Sequence, residues 1–123
     1  EWLVTAVQIE TAGGVDQADA IAAVDGADVI FAGPLDLTAN LGITGQYSHP
    51  LFLDALRRIA TAAQNAGKAA GILLLDAAQL SMARDLGYTF IALGSDGGSV
   101  NAALRSTAAT VKAAKRQAGQ VSR

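Results

Sequence analysis

Glu10 and Asp36 are the two residues of this chain best placed to do chemistry together. Each closes a stretch that reads as a β-strand. Glu10 ends the run Leu3-Val4-Thr5-Ala6-Val7-Gln8-Ile9-Glu10, and Asp36 follows Asp28-Val29-Ile30-Phe31-Ala32-Gly33-Pro34-Leu35. A strand–helix–strand passage of this length makes the two strands parallel neighbours, so their carboxyl-terminal ends lie on one side of the sheet. α/β folds place their active sites on that side. Adjacent strands run roughly 4.8 Å apart, so two carboxylates there can share one hard divalent cation. The same acids would serve equally as helix caps or surface charges, and their types and spacing leave the two readings level.

Four βα units must position these acids. The first strand, 3–10, is a nearly continuous apolar run, as expected for a parallel strand covered on both faces. Gly13-Gly14 lead into a helix over 15–24, with Val15, Ala18, Ile21 and Ala22 on one face. The second strand covers 28–32, and Leu35–Gly45 includes a short helical turn. Pro50 suits the first position of a long helix, where its missing N–H costs nothing. That helix buries Phe52, Leu56, Ile59, Ala60 and Ala63 and ends at Asn65-Ala66-Gly67, with Gly available for a left-handed cap. The third strand is 69–75. Asp76 caps the next helix, with Leu80, Ala83 and Leu86 facing inward and Gly87 as its stop. The fourth strand is 88–94, and Ser95-Asp96-Gly97-Gly98-Ser99 lead into a final helix with the stripe Val100, Leu104, Val111 and Ala114.

Composition narrows the functional class. The chain has 123 residues, enough for one domain. It is 51% hydrophobic but only 5% aromatic, which suits an Ala-rich α/β protein and argues against disorder. No apolar run approaches the roughly 20 residues of a membrane-spanning helix, so no membrane partner is expected. The absence of cysteine excludes disulfides and thiolate metal sites. A net charge of −2 gives no reason to expect nucleic acid. The basic residues Arg105, Lys112, Lys115, Arg116 and Arg123 crowd the end of the chain, where they suit a helix dipole better than a phosphate site. The chain opens two residues before a buried-type strand, without a Met or a targeting pattern. It is expected to be a piece of a longer protein.

Four parallel strands with intervening helices are half of an eight-stranded barrel, and a free half would expose two strand edges and an apolar inner face. A small open sheet with helices on both faces is the alternative. The pattern alone does not separate them.

Particular residues do. Val7-Gln8-Ile9-Glu10-Thr11 and Gly33-Pro34-Leu35-Asp36-Leu37-Thr38, followed by Leu41-Gly42, Gly45-Gln46, His49-Pro50, Gly67-Lys68-Ala69, Gly71-Ile72-Leu73 and Ala92-Leu93-Gly94-Ser95-Asp96, resemble the HpcH/HpaI family. These are class II pyruvate-dependent hydroxy-keto-acid aldolases of the phosphoenolpyruvate/pyruvate barrel superfamily. The resemblance runs in order along essentially the whole chain and matches the C-terminal half of the family, that is, the last four βα units of a (β/α)8 TIM barrel. Residues 1–123 are then a single partial domain.

The resemblance implies that Glu10 and Asp36 hold a divalent cation (Mg²⁺, Mn²⁺ or Co²⁺). It implies that Gln8 hydrogen-bonds a bound pyruvate, and that the backbone N–H groups of Gly33 and Leu35 hold its carboxylate. Leu73 would form an apolar wall of the pocket. The implied reaction is cleavage of a 4-hydroxy-2-oxo acid to pyruvate, or a close 2-oxo acid, and an aldehyde. Acyl-CoA lyases of the malyl-CoA or citryl-CoA type belong to the same family, and a non-catalytic half-barrel module is the rival from another class. A cytoplasmic homo-oligomer is implied, with a hexamer among its candidate sizes, in which the last helix, over about 99–116, packs against another subunit.

The physical chemistry is consistent with these roles. A metal chelated by a keto acid's carbonyl and carboxylate acts as a Lewis acid, and two protein carboxylates leave positions for substrate and water. The departures from the family are Ala70 where Pro is common and Leu35 where a smaller Ala is common. The family's catalytic His and its substrate-binding Arg have no counterpart in this chain, so its catalytic base and Arg are expected upstream. His49 reads as a cap or packing residue at a helix start. Gly94–Ser99 reads as a barrel-top loop rather than a phosphate cradle, since it lacks the Lys and spacing of a P-loop. Lys68 follows a helix-ending Gly and does not suggest a Schiff base. Trp2 and Tyr47 read as packing or interface residues.

Overall fold

The computed structural model describes residues 3–121. Their elements follow the order β1 (Ala6–Ile9), α1 (Ala12–Asp16), α2 (Ala18–Ala22), β2 (Val29–Ala32), α3 (Pro34–Asn40), α4 (Pro50–Asn65), β3 (Ala69–Leu74), a 3₁₀ turn (Ala77–Gln79), α5 (Leu80–Asp85), β4 (Phe90–Leu93) and α6 (Asp96–Val121). The strands pair in parallel in the order β1-β2-β3-β4. A doubly wound sheet needs a reversal of strand order that sends helices to its second face. No reversal occurs among the described strands, so the sheet is wound in one direction, as a sector of a barrel is.

The chain divides into two compact units, Glu1–Leu93 and Gly94–Arg123. In the first, α4 packs on β2 and β3 and against α2. The sequence builds α4 as expected. Pro50 sits in its first turn, and the His49 imidazole caps it by accepting the Leu51 N–H at 3.2 Å. Phe52, Leu56, Ile59, Ala60 and Ala63 are buried, together with Ala55 and Ala62. Gly67, at φ +68°, ends the helix in the left-handed region that a Cβ disfavours. Beneath α4 lie Ile9, Ile30, Ala32, Ala70, Ile72 and Leu74 of the sheet. Tyr88 closes this core, its hydroxyl donating to the Leu56 carbonyl at 2.9 Å.

Several expected boundaries shift for local reasons. β1 begins at Ala6 because its partner β2 begins at Val29, leaving Leu3 and Val4 with no strand to pair and exposed. The first strand is therefore not covered on both faces, for Ala6 and Gln8 are exposed while Ile9 is buried. The expected 15–24 helix is two short ones that start earlier. Thr11 caps α1 by accepting the Gly14 N–H at 3.0 Å, which draws Gly13-Gly14 into the helix. Asp76 caps the 3₁₀ turn, accepting the Ala78 N–H at 2.9 Å, and α5 follows from Leu80. Ala83 is buried and Leu86 partly so, but Leu80 faces solvent.

In the second unit, Ser95 opens α6, its hydroxyl accepting the Gly98 N–H at 3.0 Å. Val100, Leu104 and Val111 along this helix are exposed. Trp2 and Arg123 lie outside the described residues. No helix among the described residues is long and apolar enough to cross a membrane.

Candidate functional site at the ends of β1 and β2

The register pairs Gln8 with Phe31 and Ile9 with Ala32, which sets Glu10 and Gly33 just past the ends of adjacent strands. The Gln8 amide nitrogen donates to a Glu10 carboxylate oxygen at 2.7 Å. Gly33 is pressed against both side chains. A Cβ there would stand 2.6 Å from Gln8 Nε2 and 3.2 Å from Glu10 Oε2, so any larger residue would displace the pair. Gln8, Glu10 and Gly33 are thus one contact group, held by strand pairing.

α3 starts directly from this group. Gly33 is its N-cap and offers no side-chain acceptor, and Pro34 has no N–H to give. The first N–H groups of a helix lack intrahelical partners, so those of Leu35 and Asp36 are available to a ligand. The Gly33 N–H is not, because it donates to the Ile9 carbonyl at 3.0 Å. This corrects the expectation that Gly33 supplies a donor: what it supplies is room. Asp36 stands in the first turn of α3, where a negative charge suits the helix dipole, and it is exposed.

Leu35 and Leu73 come together as well. With Pro34, Tyr47, Leu75 and Met82 they help line a small apolar pocket of about 40 Å³ beside the start of α3. Tyr47 packs edge-on against Phe52, with ring centroids 5.8 Å apart. Thr38 and Asn40, absent from the sequence-based site, hold α3 in place. Thr38 is fully buried, and Asn40 accepts the Ala12 N–H. The only advance signal was a pair of residue types that bond backbone groups near helix ends.

The donor set suits a hard cation. Among the described residues the ion pairs are Arg57–Asp54 and Arg58–Asp16, so neither Glu10 nor Asp36 is neutralised by a basic side chain. No group of three or more His, Asp or Glu side chains gathers among the described residues. The oxygen donors of Glu10 and Asp36 are of the kind a hard divalent cation takes, with substrate and water completing its shell. Lys68 donates to the Val24 carbonyl and sits before β3, at the opposite end of the sheet from Glu10.

The chain as a whole is similar to known proteins. A family model described as HpcH/HpaI aldolase/citrate lyase matches residues 2–103. The chain is 46% identical over 94 residues to a hydroxypyruvate/pyruvate aldolase of Paraburkholderia phytofirmans, covering 76% of this chain and 36% of that protein. It is 45% identical over 106 residues to a 5-keto-4-deoxy-D-glucarate aldolase of Shigella boydii, covering 86% of this chain and 41% of that protein. The crystal structure of an HpcH/HpaI aldolase from Desulfitobacterium hafniense superposes with a TM-score of 0.83 at 30% identity, covering 89% of this chain and 42% of that one. The chain therefore spans well under half the length of the curated relatives, and its four strands correspond to about half of such a barrel.

Proposed function

Because the chain belongs to the HpcH/HpaI aldolase/citrate lyase family, we propose that it carries the metal-binding half of a class II aldolase site. The whole protein would cleave 4-hydroxy-2-oxo acids to pyruvate, or a close 2-oxo acid, and an aldehyde. The observation that carries this reading is the Gln8–Glu10–Gly33 contact group set against the uncapped start of α3.

Each residue has a role that its geometry supports. Glu10 and Asp36 hold a divalent cation (Mg²⁺, Mn²⁺ or Co²⁺). When bound, that cation supplies Lewis acidity toward the carbonyl of a 2-oxo acid. Gln8 orients Glu10 through its 2.7 Å bond, and its amide would also hydrogen-bond the bound 2-oxo acid. The Leu35 and Asp36 N–H groups receive the substrate carboxylate and fix its orientation without a titratable group. Gly33 leaves the space this needs, and Leu73 and Leu35 form an apolar wall. Proton transfer falls to a base outside this chain, and so does the second clamp on the carboxylate. His49 is committed as the cap of α4. The aldolase names of the two relatives above favour this chemistry over an acyl-CoA lyase.

The test is a coupled pyruvate-release assay with Mn²⁺ or Co²⁺. The 123-residue chain alone is expected to be inactive, since a missing base alone removes about 10²–10⁴-fold. Addition of the missing barrel half should restore metal-dependent turnover, and Asp36→Asn should suppress it. Substantial turnover by the chain alone would refute the assignment of the base. Assembly belongs to the same proposal. Val100, Leu104 and Val111 of α6 are exposed and would pack against another copy in a homo-oligomer. A monomeric mass by light scattering for the complete protein would contradict this.

A further inference from the structure

Two side chains outside the site hold α3, Asn40 by bonding the turn that follows Glu10 and Thr38 by bonding the first turn of α3 and the loop after it. Asn40, the last residue of α3, accepts the Ala12 N–H through Oδ1 at 2.8 Å, across 28 residues of sequence. Ala12 opens α1 only two residues after Glu10, and its N–H has no partner within its own helix. Thr38, the one fully buried polar residue among the described residues, bonds in two directions. Its hydroxyl donates to the Leu35 carbonyl at 2.9 Å and accepts the Gly45 N–H at 3.1 Å.

These bonds matter because α3 cannot hold itself. It has seven residues and no side-chain cap, well below the length at which a helix is stable alone. Glu10 is fixed by strand pairing and by Gln8, whereas Asp36 rides on α3 and goes where α3 goes. We propose that Asn40 and Thr38 are positioning residues that set the spacing of Glu10 and Asp36. Asn40 fixes α3 to the turn after Glu10, and Thr38 fixes the first turn that presents the Leu35 N–H and Asp36. The inference rests on the metal site proposed above and adds the residues outside it that determine its geometry. Bonds from carboxylate oxygen to a hard cation span only about 2.0–2.6 Å, so a drift of about 1 Å in α3 would detach one ligand.

The experiment is calorimetric titration of Mn²⁺ into the complete protein, with hydrogen exchange at the Ala12 amide as a second readout. Asn40→Ala and Thr38→Val remove the bonds, and Asn40→Asp and Thr38→Ser retain an acceptor or hydroxyl. Mn²⁺ affinity is expected to fall roughly 10–100-fold in the first pair, the range for residues that orient metal ligands, and to recover in the second. Ala12 should lose protection in Asn40→Ala and keep it in Asn40→Asp. If the first pair lowers thermal stability but binds Mn²⁺ as the wild type does, the residues are merely structural and the inference is overturned. If the first pair does not fold, the second decides: wild-type affinity supports the inference, and a large loss in both overturns it. Binding abolished by Glu10→Gln yet untouched by Asn40→Ala and Thr38→Val overturns this inference alone. Wild-type protein that binds no Mn²⁺ overturns the underlying site as well.

Discussion

The two faces of the sheet differ in what their side chains are for. On the face under α4, Ile9, Ile30 and Ile72 are at most 1% exposed and fill the space between strands and helices. On the opposite face one register row holds Gln8, Phe31, Gly71 and Phe90. There Phe90 remains 46% exposed, and its ring meets Phe31 edge-on at 6.3 Å. The first face is a finished core. The second carries the contact group around Glu10, and its shape is set by glycines at 33 and 71 as much as by large side chains. A βα sector of this kind secures stability on one side and leaves the other free to vary with the chemistry.

Substitutions should separate the faces by the size and kind of their effect. Ile72→Ala, in the finished core, is expected to cost about 2–5 kcal/mol, because the close-packed surroundings relax only partly into the space left behind. Urea unfolding measures this, and a loss near zero would break the contrast. Gly71→Ala tests the other face. An added Cβ would stand 2.6 Å from Phe31 and 2.7 Å from Val29, an overpacking worth about 1–3 kcal/mol unless both side chains swing away. A neutral result would show that this face is looser than its close contacts imply.

Tyr88 should give the smallest effect. Removing its buried hydroxyl in Tyr88→Phe forfeits one hydrogen bond, about 0.5–1.5 kcal/mol. Burial pushes the Tyr88 phenol above its ordinary value of 10.0. Above about pH 10 the unfolded chain releases that proton while the folded chain keeps it, so stability should fall as pH rises through that range. Tyr88→Phe should flatten this decline in thermal melts between pH 9 and 11 (about one unit either side of the ordinary phenol value). An unchanged slope would mean that other groups cause it.

What was legible in the sequence had local causes. Pro50 and Gly67 bound α4 because Pro fixes φ at a helical value in the first turn and Gly alone takes the positive φ of the stop without strain. Glu10 could be set just past a strand end because parallel βα order carries its own geometry, whereas Asp36, expected at a strand end, stands in the first turn of α3. The early end of β1 pairing was not legible, since Leu3 and Val4 are as apolar as a strand requires and only the position of β2 leaves them unpaired. The engagement of the Gly33 N–H is not legible either, because its ladder bond to Ile9 is a property of the folded sheet. Asn40 was missed because its partner Ala12 is 28 residues away. In each case the information lies in a contact between distant segments.

The central claim, that Glu10 and Asp36 hold one cation at the ends of β1 and β2, is tested most directly by crystals of the complete protein grown with Mn²⁺ and pyruvate. Anomalous scattering locates the ion without reference to either carboxylate. The account predicts a single Mn²⁺ bonded by oxygens of both residues at roughly 2.0–2.6 Å, with the substrate carboxylate against the Leu35 and Asp36 N–H groups. An ion bound elsewhere, or the two carboxylates more than about 8 Å apart, too far to chelate one cation through bonds of that length, would contradict it.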